Sequence, residues 1–400
     1  MLRTTLRGLL LVLSAAAAQT QETGSQETGV DLPPALTYRY GIHTRSADGV
    51  LRLQINGRAM YDVGSFDDDL DPAVLSGQEW RRVRLLIKGE IGEHLGFRAQ
   101  WDFSDSKARL LDLYFDWRTF PLGVVRLGHF REPLGLESQT SPTYLTFLER
   151  SGPTDALTFG RNRGVQLSER TARTSWAVGV FREADAVFPD ELGDNLAVTA
   201  RGTWLPVWRD EGAQLVHLGL GLSYRDTSAD PVTIRARPES HLLDRLVDTG
   251  PLHADHVHLA ALEAAWVRGP FSLQAELSFA NLEPQGGGQA LMRGGYVQGS
   301  WFPTGEHRAY NSRRNSFGRI DVLHPVIGEG SHGAWELAAR WSQTDLDDGD
   351  VAGGVMQNVT LGVNWYLTSL TRVMLNYIET DVDGSDVDGS MLMLRLQVAF

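Results

Sequence analysis

The chain has 400 residues, no cysteine and a formal net charge of −13, with 50 acidic against 37 basic residues. The absence of cysteine excludes a disulfide scaffold and thiol chemistry, and the acidic balance argues against nucleic acid as a partner. Among the basic residues, only Lys88 and Lys107 are lysine.

The first residues have the features of an export signal. Arg3 and Arg7 precede an apolar stretch at residues 9–13, and the alanines at 16–18 provide a small-residue cleavage site. We therefore predict a signal peptide over residues 1–18, followed by a flexible periplasmic leader over residues 19–48. Removal of the signal peptide takes two arginines, so 35 basic and 50 acidic residues remain, a net charge of −15.

From residue 49 to residue 400 the chain is predicted to form one domain in which hydropathy alternates with a period of two. In residues 51–63, odd positions such as Leu53 and Ile55 are apolar and even positions such as Gln54 and Arg58 are polar. This pattern is typical of antiparallel strands in a soluble sandwich or a membrane barrel. Charges at mid-strand and aromatic residues near strand ends favour the barrel. No later stretch is apolar for the roughly 20 residues that a spanning helix requires.

Sixteen runs of this kind predict an all-β, transmembrane antiparallel barrel of sixteen strands. The runs lie at residues 51–63, 83–91, 95–103, 111–117, 124–130, 164–168, 176–181, 196–204, 215–225, 256–267, 271–280, 294–302, 335–341, 355–366, 372–379 and 390–400. An even number of strands places both ends of the barrel domain on the same side of the membrane.

The connections between these runs alternate between short and long. Short connections such as 92–94 and 268–270 are predicted to be periplasmic, and longer ones such as 64–78, 226–255 and 342–354 to be extracellular. The connection 303–333 departs from this rule, because it is long and falls on the periplasmic side. Residues 126–168 contain the third outer connection, an irregular stretch of the length that usually has a function. We expect this stretch to fold into the mouth of the barrel and narrow it.

Several sequence blocks then resemble one known family. GHFREPLGLE (residues 128–137), TFLER (146–150) and GRNRGVQL (160–167) resemble the signature of the phosphate-selective porin O/P family of Gram-negative outer membranes. WFPTGEHRAY (301–310), GAWELAARWS (333–342) and the terminal Phe400 extend the resemblance over most of the chain. The resemblance implies an outer-membrane barrel with its third extracellular loop folded inward, a homotrimer, and passive diffusion of phosphate-like anions. The partners it implies are outer-membrane lipid, lipopolysaccharide and small permeant anions.

Rings of arginine or lysine serve as selectivity elements for anions. Inward faces of the predicted strands and the inward stretch together supply candidates for the anion pathway, namely Arg82, Arg84, Lys88, Arg98, Arg126, Arg131, Arg150, Arg161 and Arg163. A guanidinium binds phosphate or carboxylate through paired donors, so a ladder of arginines passes an oxyanion along the wall. The alternative is that these arginines pair with nearby carboxylates, including Glu132, Glu137 and Glu149, and only stiffen the lumen.

One feature departs from the family pattern. The resemblance implies a lysine cluster at the narrowest zone, whereas residues 126–168 contain no lysine. Arginine supplies the same charge but not the compact ammonium group. A general small-solute porin without phosphate selectivity therefore stays open as an alternative, as does an occluded structural or adhesive barrel.

Other chemistry finds little support in the sequence. His253, His256 and His258 are more typical of a solvated cluster than of a metal site, and the run from Asp381 to Asp388 lacks the glutamate of a calcium loop. A lipase-type barrel requires an outward serine and histidine, and no such pair stands out. We predict no catalytic residues, no metal and no cofactor.

Overall fold

The computed structural model describes residues 36–38, 40–67, 70, 75–184, 187, 195–327, 330–385 and 387–400. The predicted signal peptide, and the predicted leader up to residue 35, lie outside the described residues. None of the described helices is long and apolar enough to cross a membrane.

Sixteen long strands form one closed antiparallel sheet. They are β1 (Leu51–Phe66), β2 (Ser76–Ile91), β3 (Leu95–Asp102), β4 (Arg109–Phe120), β5 (Gly123–Arg131), β6 (Arg161–Arg170), β7 (Thr174–Arg182), β8 (Leu196–Arg209), β9 (Gln214–Asp226), β10 (Ala254–Arg268), β11 (Phe271–Pro284), β12 (Ala290–Trp301), β13 (Ala334–Asp348), β14 (Val351–Thr368), β15 (Thr371–Val382) and β16 (Asp388–Ala399). Each strand pairs with the next, and β16 pairs with β1. The prediction of a sixteen-stranded barrel is confirmed.

The sheet extends beyond β1 at its N-terminal side. Ile42–Arg45 pairs with the first residues of β1, and Thr37–Tyr38 pairs with Ile42–Arg45 in turn. The described end of the segment 19–48 therefore belongs to the barrel sheet. At the other terminus, Phe400 exchanges two backbone hydrogen bonds with Gly57, at 2.9 and 3.1 Å.

Apolar side chains cover the outside of the barrel. In β16, Leu394, Leu396 and Val398 are exposed, whereas Arg395 is fully buried on the inner face. Trp80 is likewise exposed on the outer face of its strand. A soluble sandwich would bury the apolar face and expose the charges, which is the opposite arrangement. The predicted orientation is therefore confirmed.

One predicted connection is much shorter in the structure than in the predicted pattern. The outer connection predicted at 342–354 is only the turn 349–350, because β13 extends to Asp348 and β14 begins at Val351. The acidic composition of this stretch is typical of a loop, but a hairpin ladder uses backbone groups and tolerates acidic side chains above the membrane. The connection 302–333 is long, as predicted, and its path is described below.

The third outer connection folds into the barrel, as predicted. Residues 132–160, here called the inward loop, contain α1 (Leu136–Gln139), a 3-10 turn (Pro142–Tyr144) and α2 (Gly152–Leu157). Leu134 and Leu157 pack on lumen-facing residues of β10 and β11, and Leu148 packs on lumen-facing residues of β15 and β16. The inward loop therefore lies against the β9–β16 side of the lumen.

Two further connections also enter the lumen. Residues 227–253, from the outer end, contain the paired strands Arg235–Ala236 and Val247–Asp248, whose side chains join the same apolar cluster as Leu157. Residues 302–333, from the opposite end, contain the hairpin of Tyr310–Asn311 and Ser316–Phe317. We call residues 302–333 the periplasmic segment.

These inserted segments cover one side of the barrel wall and leave the other side open to the lumen. Strands β8–β16, the packed wall, are covered by the inserted segments, and their inner side chains are almost all buried. Strands β1–β6, the arginine wall, leave many inner side chains partly exposed; the Arg98 and Arg126 side chains are 23% and 28% exposed. The open passage therefore runs along β1–β6.

Candidate anion pathway

A carboxylate on the packed wall holds the start of the inward loop. Glu276, on the inner face of β11, accepts hydrogen bonds from the backbone N–H groups of Leu136 and Glu137, both at 2.7 Å. The first N–H groups of a helix have no partner within the helix, so an acceptor here fixes its position. Gly135 precedes them at φ +75°, and a Cβ at this residue would lie 3.0 Å from Oε2 of Glu276. Glycine at 135 permits this close approach.

An arginine of the packed wall holds the middle of the inward loop. The Arg340 guanidinium donates to the Glu137 carboxylate and to the Glu149 backbone carbonyl, each at 3.2 Å, and pairs with Glu239. It also lies over the Phe147 ring at 4.4 Å. The Arg340 side chain is 1% exposed, so these charges are shielded from water.

A similar cluster holds the first residue of the inward loop. Glu132 pairs with Arg225 of the packed wall at 3.0 Å and accepts hydrogen bonds from Thr199 and Asn162, both at 2.5 Å. Glu132 and Glu137, two of the loop carboxylates considered as partners for the pathway arginines, are thus bonded to arginines on the other side of the lumen.

Glu149 is the inward-loop carboxylate that faces the arginine wall. It pairs with Arg82 at 2.8 Å, with Arg81 at 2.9 Å and with Arg395 at 2.7 Å. Burial alone would raise the pKa of the Glu149 carboxyl, but the three guanidinium groups hold this pKa well below its usual range. Glu149 therefore stays ionised in the pore.

A β-bulge explains how two consecutive arginines reach the same carboxylate. Met60 pairs with Arg82 and Tyr61 with Trp80, so Arg81 is the extra residue of β2. Successive residues of a regular strand point to opposite faces, and a bulge relaxes this rule. Both guanidinium groups consequently enter the lumen.

Four of the predicted pathway arginines pair with carboxylates of the same wall. Arg84 pairs with Asp102 at 2.6 Å, Arg98 and Arg161 with Asp112 at 2.9 and 2.5 Å, and Arg126 with Asp116 at 2.8 Å. Arg126 also stacks on the Tyr114 ring at 3.9 Å. These pairs form a band along β2–β6 in which the Asp112 carboxylate pairs with two arginines.

Three arginines at the constriction contact no carboxylate among the described residues. Arg131 donates to the Ser138 hydroxyl at 3.2 Å, and Arg150 donates to backbone carbonyls of the inward loop, the shortest at 2.8 Å. Arg58 donates to the hydroxyls of Ser141 and Thr143, and its Nε has no hydrogen-bond partner in the described part of the chain. Their positive charges are free to act on a passing anion.

The remaining two predicted residues lie away from the constriction. Lys88 is on the inner face of β2 toward the end predicted to be periplasmic, beside Arg98 of β3 in the strand register. Arg163, near the outer end of β6, donates to the backbone carbonyl of Val187. Arg163 shares its strand face with the exposed Val165 and so contacts the outer connection rather than the constriction.

The resulting charge balance on this side of the lumen is positive. Among the described residues, ten arginines of the arginine wall, the inward loop and the adjoining strand β16 have five carboxylates as partners, an excess of five positive charges. The arginines are Arg58, Arg81, Arg82, Arg84, Arg98, Arg126, Arg131, Arg150, Arg161 and Arg395, and the carboxylates are Asp62, Asp102, Asp112, Asp116 and Glu149. An anion entering the passage meets a field of the opposite sign.

Several charged residues of this arrangement were not predicted from the sequence. Arg340 and Arg395 lie on the inner faces of strands that were correctly predicted. The alternation of apolar and polar residues in these strands could therefore have assigned both arginines to the lumen. Arg81 falls on the outer face by simple alternation, and no pattern in the sequence marks the bulge that brings it inside.

A closed sixteen-stranded barrel with an apolar exterior and a charged lumen narrowed by its third outer connection is an outer-membrane porin. The family model described as phosphate-selective porin O and P matches residues 53–400, and the chain belongs to this family. The protein therefore resides in the outer membrane of a Gram-negative cell, where it forms a channel rather than an enzyme.

Two relatives match most of the chain. An uncharacterized protein of Caulobacter vibrioides is 28% identical over 370 residues, which cover 88% of this chain and 73% of that protein. Porin O of Pseudomonas aeruginosa is 23% identical over 407 residues, which cover 90% of this chain and 91% of porin O.

Solved structures show the same fold at low identity. The trimer form of OmpT from Vibrio cholerae superposes with a TM-score of 0.57 at 10% identity, covering 88% of this chain and 100% of OmpT. An anion-selective porin from Comamonas acidovorans superposes with a TM-score of 0.56 at 14% identity, again covering 88% of this chain and 100% of the porin.

Proposed function

We propose that this porin lets small anions diffuse passively across the outer membrane and prefers oxyanions, phosphate-like ions among them. The observation that carries the proposal is the group of three constriction arginines without carboxylate partners, Arg58, Arg131 and Arg150. The description of the family as phosphate-selective and the anion selectivity of the Comamonas acidovorans porin support it.

The chemistry of these arginines favours oxyanions over halides. A guanidinium presents parallel N–H donors that match two oxygens of a phosphate or carboxylate. The hydroxyls of Ser138, Ser141 and Thr143 lie beside the same arginines and add donors. A permeation site also has to release its ion, and partial exposure to water along the arginine wall keeps binding weak.

The preference for phosphate is tested by reversal potentials in planar bilayers. With the purified protein in a potassium chloride gradient, we expect a reversal potential that favours anions. Replacing chloride by phosphate on one side measures phosphate against chloride directly. Equal permeability of both ions identifies a general anion pore, a lack of ion preference identifies a general solute porin, and the absence of conductance identifies an occluded barrel.

Charge changes on the arginine wall test the pathway. Replacing Arg82 and Arg84 with Glu is expected to weaken anion preference, and Arg82→Gln with Arg84→Gln provides a milder variant that avoids a new repulsion with Glu149. Arg268→Glu, on the outer face at one end of β10, is the matched control and should leave selectivity unchanged. Unchanged selectivity in both arginine-wall variants would contradict the assignment.

Removing part of the inward loop tests the constriction. Replacing residues 138–145 with two glycines should raise single-channel conductance, because this stretch lies between the packed wall and the open passage. Heat-modifiable migration on a gel checks that the variant still forms a barrel. A folded variant with unchanged conductance would show that the narrowest point lies elsewhere.

We also propose a homotrimer in contact with lipopolysaccharide, reached by export through the predicted signal peptide. The trimer form of the Vibrio cholerae protein supports the assembly state. Mass measurement of the detergent-solubilised protein by light scattering tests it, and a monomer mass would contradict it.

A further inference from the structure

The outer ends of β4 and β5 separate from each other. The pairing between these two strands extends only as far as Leu113 and His129. Beyond this pair, β4 continues to Arg109 with β3 as its partner, and β5 continues to Arg131 with β6 as its partner. Among the described strands, the outer part of β4 therefore has a neighbour on one side only. The barrel wall has a seam at this point.

Side-chain contacts bridge the lower part of the seam. The two ring nitrogens of His129 bond to the carbonyl oxygens of Leu111, at 2.7 Å, and of Ala184, at 3.2 Å. Arg161 of β6 donates through Nε to the Asp112 carboxylate of β4 at 2.5 Å. These contacts take the place of a backbone ladder between β4 and β5, so the seam is a built part of the fold.

A cavity of about 560 Å³ lies in the seam, and we call it the seam cavity. It is lined by residues 108–111 at the start of β4, by residues 159–162 where the inward loop passes into β6, and by His129, Glu183, Ala184 and Val187. Pockets that bind small molecules have volumes of roughly 300–1,000 Å³ and combine apolar surface with a few polar groups. The seam cavity has the size of such a pocket.

The lining combines an aromatic ring with guanidinium donors. The Arg225 guanidinium stacks on the Phe159 ring at 3.5 Å and fixes the position of this ring. Arg161 binds its carboxylate partner through Nε, and its two terminal nitrogens form no hydrogen bond within the described part of the chain. Glu183 is the carboxylate of the lining, and it accepts a hydrogen bond from Asn195 at 3.0 Å. The donors of Arg161 are therefore available to an anionic group.

A glycine leaves space in the seam cavity. A Cβ added at Gly160 would meet no atom within 4 Å, and Gly160 is not among the glycines with positive φ. Neither packing nor backbone conformation therefore requires glycine at this position. A larger side chain at 160 would take up space next to Phe159 and Arg161. The absence of a side chain here leaves room for a bound molecule.

We propose that the seam cavity binds small organic anions that carry an aromatic ring, such as aryl phosphates and aryl carboxylates, at the outer mouth of the pore. The anionic group pairs with the terminal nitrogens of Arg161, whose parallel donors match two oxygens. The ring of the bound molecule contacts Phe159, and its burial adds affinity that an inorganic ion lacks. This proposal rests on the proposed function and extends it, since it names organic anions as a further class of solutes.

Block of the chloride current tests the class of ligand. Phenyl phosphate added at the outer side should reduce the current at a concentration roughly tenfold lower than inorganic phosphate, as expected for burial of an aromatic ring. Benzyl alcohol, which has the ring without the charge, should leave the current unchanged at the same concentration. Equal block by phenyl phosphate and inorganic phosphate would overturn the proposal, because the ring would then contribute nothing.

Filling the seam cavity tests the position of the site. In Gly160→Phe, the concentrations of phenyl phosphate and inorganic phosphate that block the current should become nearly equal. Gly202→Phe, on the exposed face of β8, is the matched control, because a Cβ there also meets no atom within 4 Å. This control should keep the preference for phenyl phosphate. A Gly160→Phe channel that keeps the full preference would disprove the site.

Cysteine protection gives a second measurement with a smaller change of volume, because the chain contains no cysteine. Phenyl phosphate should slow the modification of Ala108→Cys by a methanethiosulfonate reagent several-fold, whereas inorganic phosphate at the same concentration should not. Ala352→Cys, beside the outer turn between β13 and β14, is the control and should be modified at the same rate with and without phenyl phosphate. Absence of protection at residue 108 would contradict the site.

The outcomes separate this proposal from the proposed function. A channel that prefers anions but shows neither stronger block by phenyl phosphate nor protection of Ala108→Cys contradicts the seam site and leaves the anion pore in place. A channel without anion preference in which Ala108→Cys is protected contradicts the proposed function and supports binding in the seam cavity.

Discussion

The two walls of the lumen use arginine in opposite ways. On the packed wall, Arg225 and Arg340 are 2% and 1% exposed and bind carboxylates of the inward loop. On the arginine wall, Arg98 and Arg126 are 23% and 28% exposed and pair with carboxylates of the same wall. The same side chain therefore fixes a loop on one wall and lines the passage on the other.

Burial explains the difference. A buried ion pair cannot lose one partner without leaving an uncompensated charge in a medium of low dielectric constant, so it is effectively permanent. A pair in contact with water contributes little, and a passing anion competes with its carboxylate. Under the proposed function, the packed wall supplies rigidity and the arginine wall supplies exchangeable binding.

The largest effect is expected where a buried pair of the packed wall is broken. Arg340→Met leaves Glu239 buried without its cation, which should lower stability by about 3–5 kcal/mol. Thermal unfolding followed by gel mobility measures the loss, and single-channel recordings should show a noisier, larger conductance. Arg268→Met on the outer surface is the control. Equal stability of the two variants would contradict the distinction between the walls.

Glu149 contacts arginines of both walls, and its replacement should lower stability less than Arg340→Met does. Glu149→Gln removes the carboxylate shared by Arg81, Arg82 and Arg395, and charge-assisted hydrogen bonds of this kind contribute about 1.5–3 kcal/mol. We expect reduced thermal stability together with stronger anion preference, because three guanidinium groups lose their counter-charge. Glu90→Gln, on β2 at the periplasmic end, is the control. A weaker anion preference in Glu149→Gln would oppose the electrostatic assignment.

The pH dependence follows from the same residue. Since the folded state lowers the pKa of Glu149, its stabilising contribution is complete above the usual glutamate pKa of about 4.3 and is lost as the pH falls through the lowered value. We expect the inward loop to loosen below about pH 4. Conductance noise measured against pH checks this, and the Glu149→Gln variant should lack that component. Identical pH profiles in both proteins would rule it out.

The smallest effect is expected for a single half-buried arginine of the constriction. Arg58→Gln removes one charge near a passing anion, an interaction of about 1 kcal/mol at 4 Å in water. This corresponds to roughly fivefold in the permeability ratio of anions to cations. Arg52→Gln, on the same strand and more exposed, is the control. A change of the same size in both variants would show that position along the passage is unimportant.

Much of the fold was predictable because apolar and polar residues alternate along each strand, and this alternation shows which side chains lie on the outer face and which on the inner face. Leu394 and Leu396 alternate with Arg395, and the structure places them outside and inside as predicted. The residues of the inward loop were also found, because glycine, proline and arginine without a period mark an irregular connection. What failed was local: the acidic stretch near Asp348 was predicted to be a loop and instead extends a hairpin.

The site was only partly predictable. Arg82, Arg84, Arg98 and Arg126 were assigned to the lumen from alternation, and the structure places them there. Arg81 entered the lumen through a bulge that depends on pairing with β1. The residues that hold the inward loop in place, such as Arg340, were not recognised. The sequence of a strand does not show which distant segment packs against that strand.

The sequence by itself determined the barrel, its orientation and its excess of arginine over lysine, because side-chain alternation and composition are local properties. Only the tertiary structure decided which arginines hold the inward loop and which line the passage. It also decided the position of the periplasmic segment beneath the inward loop. The reason is that burial depends on which distant segment folds against a wall. A guanidinium group that is buried in a contact holds the inward loop in place, whereas a guanidinium group exposed to water is accessible to an anion in the passage.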